Sequence, residues 1–129
     1  MIGAYNWQGK VILVAEDEEI NYLFLEEVLI RTGAKVIWAK NGIEAVQLYK
    51  NNKVDLILMD LKMPEMNGYE SMQQIKDIKG KTKIIAQTAF AMSGEREEIL
   101  DAGFDGYISK PIKITELLKL LEKNFITPE

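Results

Sequence analysis

Two residue types are missing from this 129-residue chain: it has no cysteine and no histidine. Without cysteine there can be no disulfide framework, no thiolate zinc site and no thiol nucleophile, and no particular redox compartment is demanded. Without histidine there is no Ser/His/Asp triad, no imidazole base, no histidine metal ligand and no internal phosphohistidine. Proline is scarce, at three residues, and no Gly/Pro/Ser-rich stretch divides the interior. The chain therefore reads as one domain, long enough for a layered core. A clustered basic face is missing too. Sixteen Lys and Arg stand against twenty Asp and Glu, for a net charge of -4, which argues against direct nucleic-acid binding or an anionic-membrane surface. No apolar run exceeds strand length, and the segment from Met1 to Trp7 has no basic n-region. Neither a membrane span nor a signal peptide is expected, which points to the cytoplasm.

What the chain does have is a regular alternation. Strand-like apolar runs at 11–15, 35–39, 54–59, 83–88 and 105–109 alternate with helical periodicity at about 20–32, 42–51, 67–78, 93–102 and 114–125. In the first helix Leu23, Leu25, Val28 and Leu29 form an apolar stripe opposite Glu26, Glu27 and Arg31, with Gly33 placed as its C-terminal cap. Asn41-Gly42 opens the second helix and Asn67-Gly68 precedes the third. A (βα)5 order of this kind predicts an α/β fold, a doubly wound parallel sheet with helices on both faces. In such sheets ligands bind beyond the carboxyl ends of the strands.

Those carboxyl ends carry the chemistry. The run Val54 to Met59 ends in Asp60, and Val11 to Ala15 ends in Glu16-Asp17-Glu18-Glu19, so two strands deliver carboxylates to one edge. Carboxylates brought that close repel one another unless a hard cation sits between them, which predicts a metal-dependent acidic pocket. The fourth strand ends in Thr88 and the fifth in Lys110-Pro111. A hydroxyl and an ammonium beside metal-holding carboxylates are the equipment for positioning and neutralising a phosphoryl group. Ser or Thr would need a base that a histidine-free pocket lacks. An aspartate is already ionised at neutral pH and can form an acyl phosphate directly, so Asp60 is the candidate nucleophile.

Taken singly, each residue has a plainer reading. Asp60 could cap a helix, the acidic run could favour a helix N-terminus, Lys110 could be solvated and Thr88 a strand former. Together they form a pattern. Over roughly residues 10 to 126 the chain resembles the receiver domain of two-component response regulators, with residues 1–9 and 127–129 read as tails and Trp7 as part of a flexible N-terminal one. The motifs that carry the resemblance are Glu16-Asp17, Asp60 within Met59-Asp60-Leu61-Lys62-Met63-Pro64, Thr88-Ala89, and Lys110 before Pro111. The resemblance implies a flavodoxin-like sheet of strand order 2-1-3-4-5 and transfer of a phosphoryl group from a partner's phosphohistidine to Asp60. The resemblance further implies a signalling phosphoacceptor that would catalyse its own phosphorylation and dephosphorylation, as distinct from a metabolic enzyme. Implied Mg2+ ligands are Asp17, Asp60 and the Lys62 backbone carbonyl, with Glu16 acting through water. Thr88 and Lys110 would bind phosphoryl oxygens. The lysine of the family is usually joined to the next residue by a cis peptide, which an X-Pro bond permits. Thr88 and Tyr107 are the implied switch pair, and the fourth helix, fifth strand and fifth helix the output face. The implied partner is a sensor histidine kinase or a histidine-phosphotransfer protein. A phosphorylation-dependent homodimer is left open.

Several positions depart from the commonest pattern. The first acidic residue is Glu16 and not Asp, Lys62 stands two after Asp60, and Phe90 stands two after Thr88; in the family that the chain resembles, the last two positions influence how fast water attacks the acyl phosphate. Asn21 resembles an Asn found in receivers attached to hybrid sensor kinases. A haloacid dehalogenase-type phosphatase would want a second Asp where Lys62 stands, and Glu16-Asp17-Glu18-Glu19 would repel a flavin phosphate. The competing reading is a pseudo-receiver, a protein-binding module that never carries a phosphoryl group. Met63, Met66, Met72 and Met92 read as packing, as does Trp38.

Overall fold

The structure is a computed structural model and describes residues 2–78, 80–89 and 93–125. Five strands, β1 (Val11–Ala15), β2 (Lys35–Ala39), β3 (Leu56–Asp60), β4 (Lys83–Thr88) and β5 (Gly106–Ser109), alternate with α1 (Glu19–Ile30), α2 (Gly42–Asn51), α3 (Gly68–Lys76), α4 (Ser93–Ala102) and α5 (Ile114–Phe125). The strands form one parallel sheet in the order β2-β1-β3-β4-β5, as the resemblance implied. Phe90 and Met92 lie outside the described residues.

Strand alternation sorts the core into two layers. Leu13, Ile57, Met59, Ile84 and Ala86 face α2, α3 and α4, whose Val46, Met72, Ile75 and Ile99 cover them. Ile12, Val14, Leu56, Leu58 and Ile85 face the opposite way, onto α1 and α5 through Leu25, Leu29, Leu117 and Leu121. β3 is buried along its whole length, as a central strand covered on both faces must be.

The caps follow local chemistry. The Asn41 side chain accepts from Glu44 N at 2.8 Å, and Asn67 forms a capping box with Glu70. Each satisfies amide donors that the first helical turn leaves without partners. Two strands start later than the apolar runs suggested. Asp55 Oδ2 accepts from Val11 N at 2.8 Å, and Asp105 Oδ2 accepts from Ile84 N at 2.8 Å and from Lys76 Nζ at 2.9 Å. Each aspartate thus caps the beginning of a neighbouring strand.

On α1 the expected stripe is corrected: Leu23 is 49% exposed, and Tyr22 takes its place beside Leu25, Val28 and Leu29 in the core. Ile20 and Phe24 are exposed with Leu23, leaving an apolar outer face. The helix ends before Gly33, whose φ of +95° suits glycine and whose N–H bonds Ile30 O at 2.9 Å. The assignment of Trp7 to a flexible tail is also corrected. Trp7 is 3% exposed, stacks edge-on against Tyr5 and Phe125, donates its indole N–H to Glu122, and bonds Thr32 O through its own N–H at 2.8 Å. Residues before β1 therefore strap the ends of α1 and α5 together.

Candidate functional site

The last residues of β1, β3 and β4 lie side by side. Ala15 pairs with Met59 and Met59 with Ala86, so the next residues, Glu16, Asp60 and Gln87, form one row on the α1/α5 side of the sheet. Side-chain carboxylate oxygens of Glu16, Asp17 and Asp60 lie within 4.8 Å of one another, a set that could hold a hard cation. Glu16 is fully buried and Asp60 nearly so, whereas Asp17 is exposed. A cleft of about 670 Å³ opens over this row, lined by Asp17, Asp60, Lys62, Thr88 and Lys110 among others.

Lys110 bridges the buried pair. Its Nζ donates to Asp60 Oδ2 at 3.1 Å and lies 3.6 Å from Glu16 Oε1. Lys110 N bonds Thr88 O at 2.7 Å as β5 ends, and the Lys110-Pro111 peptide is cis, as the resemblance implied. The other Asp60 oxygen, Oδ1, accepts from Lys62 N at 3.2 Å.

The electrostatics are uneven. Burial, with the Asp60 carboxylate adding to it, pushes the Glu16 carboxyl up to about 7. Burial by itself would lower the Lys110 ammonium, but Asp60 and Glu16 outweigh it and hold its pKa above the ordinary lysine value. One ammonium does not satisfy this many carboxylates, and among the described residues Glu16 Oε1 has no hydrogen-bond partner. A site that concentrates buried negative charge in this way costs stability, and a bound cation offsets that cost.

Residues that the sequence reading passed over also shape the site. Trp38, expected only to pack, donates its indole N–H to Glu16 O at 2.8 Å while stacking on Tyr22 at 4.3 Å. It fixes the backbone that presents the acidic pair. Gln87 is fully buried beside Asp60, and among the described residues neither its Oε1 nor its Nε2 has a partner. Glu95 of α4 accepts the Thr88 hydroxyl hydrogen bond. Pairing partners across a sheet and between sheet and helix leave no local sequence signal, which is why these three were not singled out. Of the expected site residues, Glu16 lies beneath the cleft and Tyr107 outside it: Tyr107 is half-buried on β5 opposite Ala86, with the Arg96 guanidinium 5.9 Å from its ring.

The family model of the response regulator receiver domain matches residues 12–122. The chain belongs to the response regulator receiver family. As a receiver it is 36% identical over 115 residues to the polar-differentiation response regulator DivK of Brucella anthropi, covering 88% of this chain and 94% of DivK. Among solved structures it resembles the receiver domain of the sensor histidine kinase PA1611 from Pseudomonas aeruginosa PAO1, which has a magnesium ion coordinated in its active-site cleft. The TM-score is 0.84 at 35% identity, covering 91% of this chain and 98% of that one. It also resembles a chain of the co-crystal of the Saccharomyces cerevisiae histidine phosphotransfer signalling protein Ypd1 with the receiver domain of its downstream response regulator Ssk1. There the TM-score is 0.84 at 29% identity, with 88% and 87% covered. Receivers of this family serve two-component signalling and generally bind Mg2+ at an acidic pocket, and this chain has an acidic cluster of Glu16, Asp17 and Asp60. Among the described residues no helix is long and apolar enough to cross a membrane.

If Asp17 is a direct ligand, Asp17→Asn weakens Mg2+ binding by at least about tenfold, since an amide carbonyl supplies an oxygen but no charge. The indole N–H resonance of Trp38, bonded to Glu16, gives the readout. A titration midpoint equal to that of the wild type would refute the assignment.

Proposed function

We propose that this receiver takes a phosphoryl group from a partner's phosphohistidine onto Asp60 with Mg2+ bound and relays the change through α4, β5 and α5. The observation that carries this reading is the bridge from Lys110 to Asp60 and Glu16 at the floor of a cleft that Thr88 also lines. A carboxylate held by one ammonium and one amide is oriented and open on the cleft side. In the transfer, an Asp60 oxygen forms the new O–P bond as the donor's N–P bond breaks, and the bond electrons leave with the imidazole, which takes up a proton. Asp17, Asp60 and the Lys62 carbonyl would hold Mg2+, with Glu16 acting through water. The bound ion would spread charge over carboxylate and phosphoryl oxygens. Lys110 and the Thr88 hydroxyl would bind the remaining phosphoryl oxygens, and Tyr107, one row below Thr88 on the neighbouring strand, would turn inward as Thr88 moves.

The donor must lie on another domain or chain, because this one has no histidine. A sensor histidine kinase or a histidine-phosphotransfer protein fits, and the likeness to the receiver crystallised with Ypd1 supports the second. The test is intact mass after incubation with acetyl phosphate. A gain of one phosphoryl group that requires Mg2+ is expected, and no gain with either acetyl phosphate or a phosphohistidine donor would overturn the proposal. In Lys110→Ala, labelling slows about a hundredfold and the amide resonances of α4, β5 and α5 no longer respond to it. A response equal to that of the wild type would remove Lys110 from the relay.

A further inference from the structure

The Thr88 hydroxyl is committed before any phosphoryl group arrives. It stands nearly buried at the end of β4 and donates to Oε1 of Glu95, in the first turn of α4. A carboxylate in a first helical turn has an ordinary use, since it favours the positive end of the helix dipole. That use does not require it to reach down onto a strand-end hydroxyl. Glu95 and Glu98 line the same cleft as Asp60, Lys62 and Lys110. Their field extends across it: the Tyr69 hydroxyl, buried and without a hydrogen-bond partner among the described residues, has its pKa raised by burial and then by Glu98 and Glu95.

A threonine hydroxyl has one hydrogen to donate. It cannot serve Glu95 and a phosphoryl oxygen at the same time. A phosphoryl group on Asp60 would replace the carboxylate's charge with about one more negative charge and bring strong acceptors deeper into the cleft. Thr88 is then contested by two anions that also repel one another. We propose that Glu95 is a positioning residue, a carboxylate on α4 that holds the Thr88 hydroxyl and competes for it with the phosphoryl group on Asp60. This rests on the receiver reading above and adds what the opposing state is made of. In the free protein the bond to Glu95 favours the outward hydroxyl and ties the first turn of α4 to the cleft. After phosphorylation the hydroxyl turns to the phosphoryl oxygen, and Glu95, left with a like charge before it, carries that turn of α4 away. The output face would then begin at Glu95, and the contact sets how far the unphosphorylated protein leans toward the active arrangement.

Beryllofluoride with Mg2+, a phosphoryl mimic that is not hydrolysed, supplies the probe. Glu95→Ala is expected to bind it about tenfold more tightly than the wild type, the factor that loss of one competing charged hydrogen bond supplies, and Glu95→Gln to fall between. In a Thr88→Ala background the same Glu95→Ala change is expected to do nothing, because the contested hydroxyl is gone. The Thr88 methyl resonance of the untreated protein should also move in Glu95→Ala. Unchanged or weaker binding in Glu95→Ala would overturn the inference, as would an equal gain with Thr88→Ala, which would make Glu95 a source of repulsion only. A still Thr88 resonance would do the same. Wild type that binds no beryllofluoride, checked beside Asp60→Asn, would fail the receiver reading itself. Wild type that binds, with flat Glu95 variants, would fail this inference alone.

Discussion

Asp60→Asn is expected to abolish labelling by acetyl phosphate at any Mg2+ concentration while the protein stays folded. The substitution keeps the shape of the side chain, and its amide can still meet Lys62 N through its oxygen, so β3 and the cleft should survive. It removes the anion that would attack phosphorus, the carboxylate held by both Lys110 and the Lys62 amide. The alternatives nearby do not substitute well. Glu16 is fully buried with its carboxyl pushed up to about 7, and Asp17 is exposed and not held by Lys110. Intact mass with circular dichroism on the same sample decides the matter, and labelling that persists in a folded Asn variant would move the acceptor to another residue.

Gly68→Ala should have the largest effect on stability, about 3 kcal/mol, read as a lowered urea midpoint. Gly68 opens α3, and its N–H bonds Leu61 O at 3.0 Å. A Cβ built there meets Asp60 O at 2.3 Å and Leu61 Cα at 2.8 Å. Both are backbone atoms on the end of a central strand, so no side chain can swing aside to make room. The helix must back away or the end of β3 must bend, and either change displaces Asp60 and Lys62. The variant should therefore lose Mg2+ affinity together with stability. A midpoint within experimental error of the wild type would show that α3 moves independently of the site.

How much of this could be read from the residues differs from element to element. Buried strands announce themselves as apolar runs, so Asp60 stood out as the first polar residue beyond one, and Thr88 and Lys110 as functional side chains at the ends of two others. Asn41 and Asn67 could be read because a cap is a local matter of three or four residues. Exposure on α1 could not be read, because Leu23 and Tyr22 are both compatible with an apolar face and only the position of β1 and α5 beneath the helix selects between them. Trp7 looked like part of a tail since nothing near it in sequence explains it. Its partners, Glu122 and Phe125, lie at the other end of the chain.

The acidic pair shows where the two kinds of information divide. By itself the sequence determined the alternation of strands and helices, the family, and which carboxylates, hydroxyl and lysine would come to one edge, because burial patterns and strand ends are written in short stretches. Only the tertiary structure decided that Glu16 is sealed under Lys110 while its neighbour Asp17 faces solvent, that Trp38 holds the Glu16 backbone, and that Glu95 occupies the Thr88 hydroxyl. Those outcomes depend on sheet register and on where α4 lands against β4, and the chain brings such partners together only when the layers close over one another.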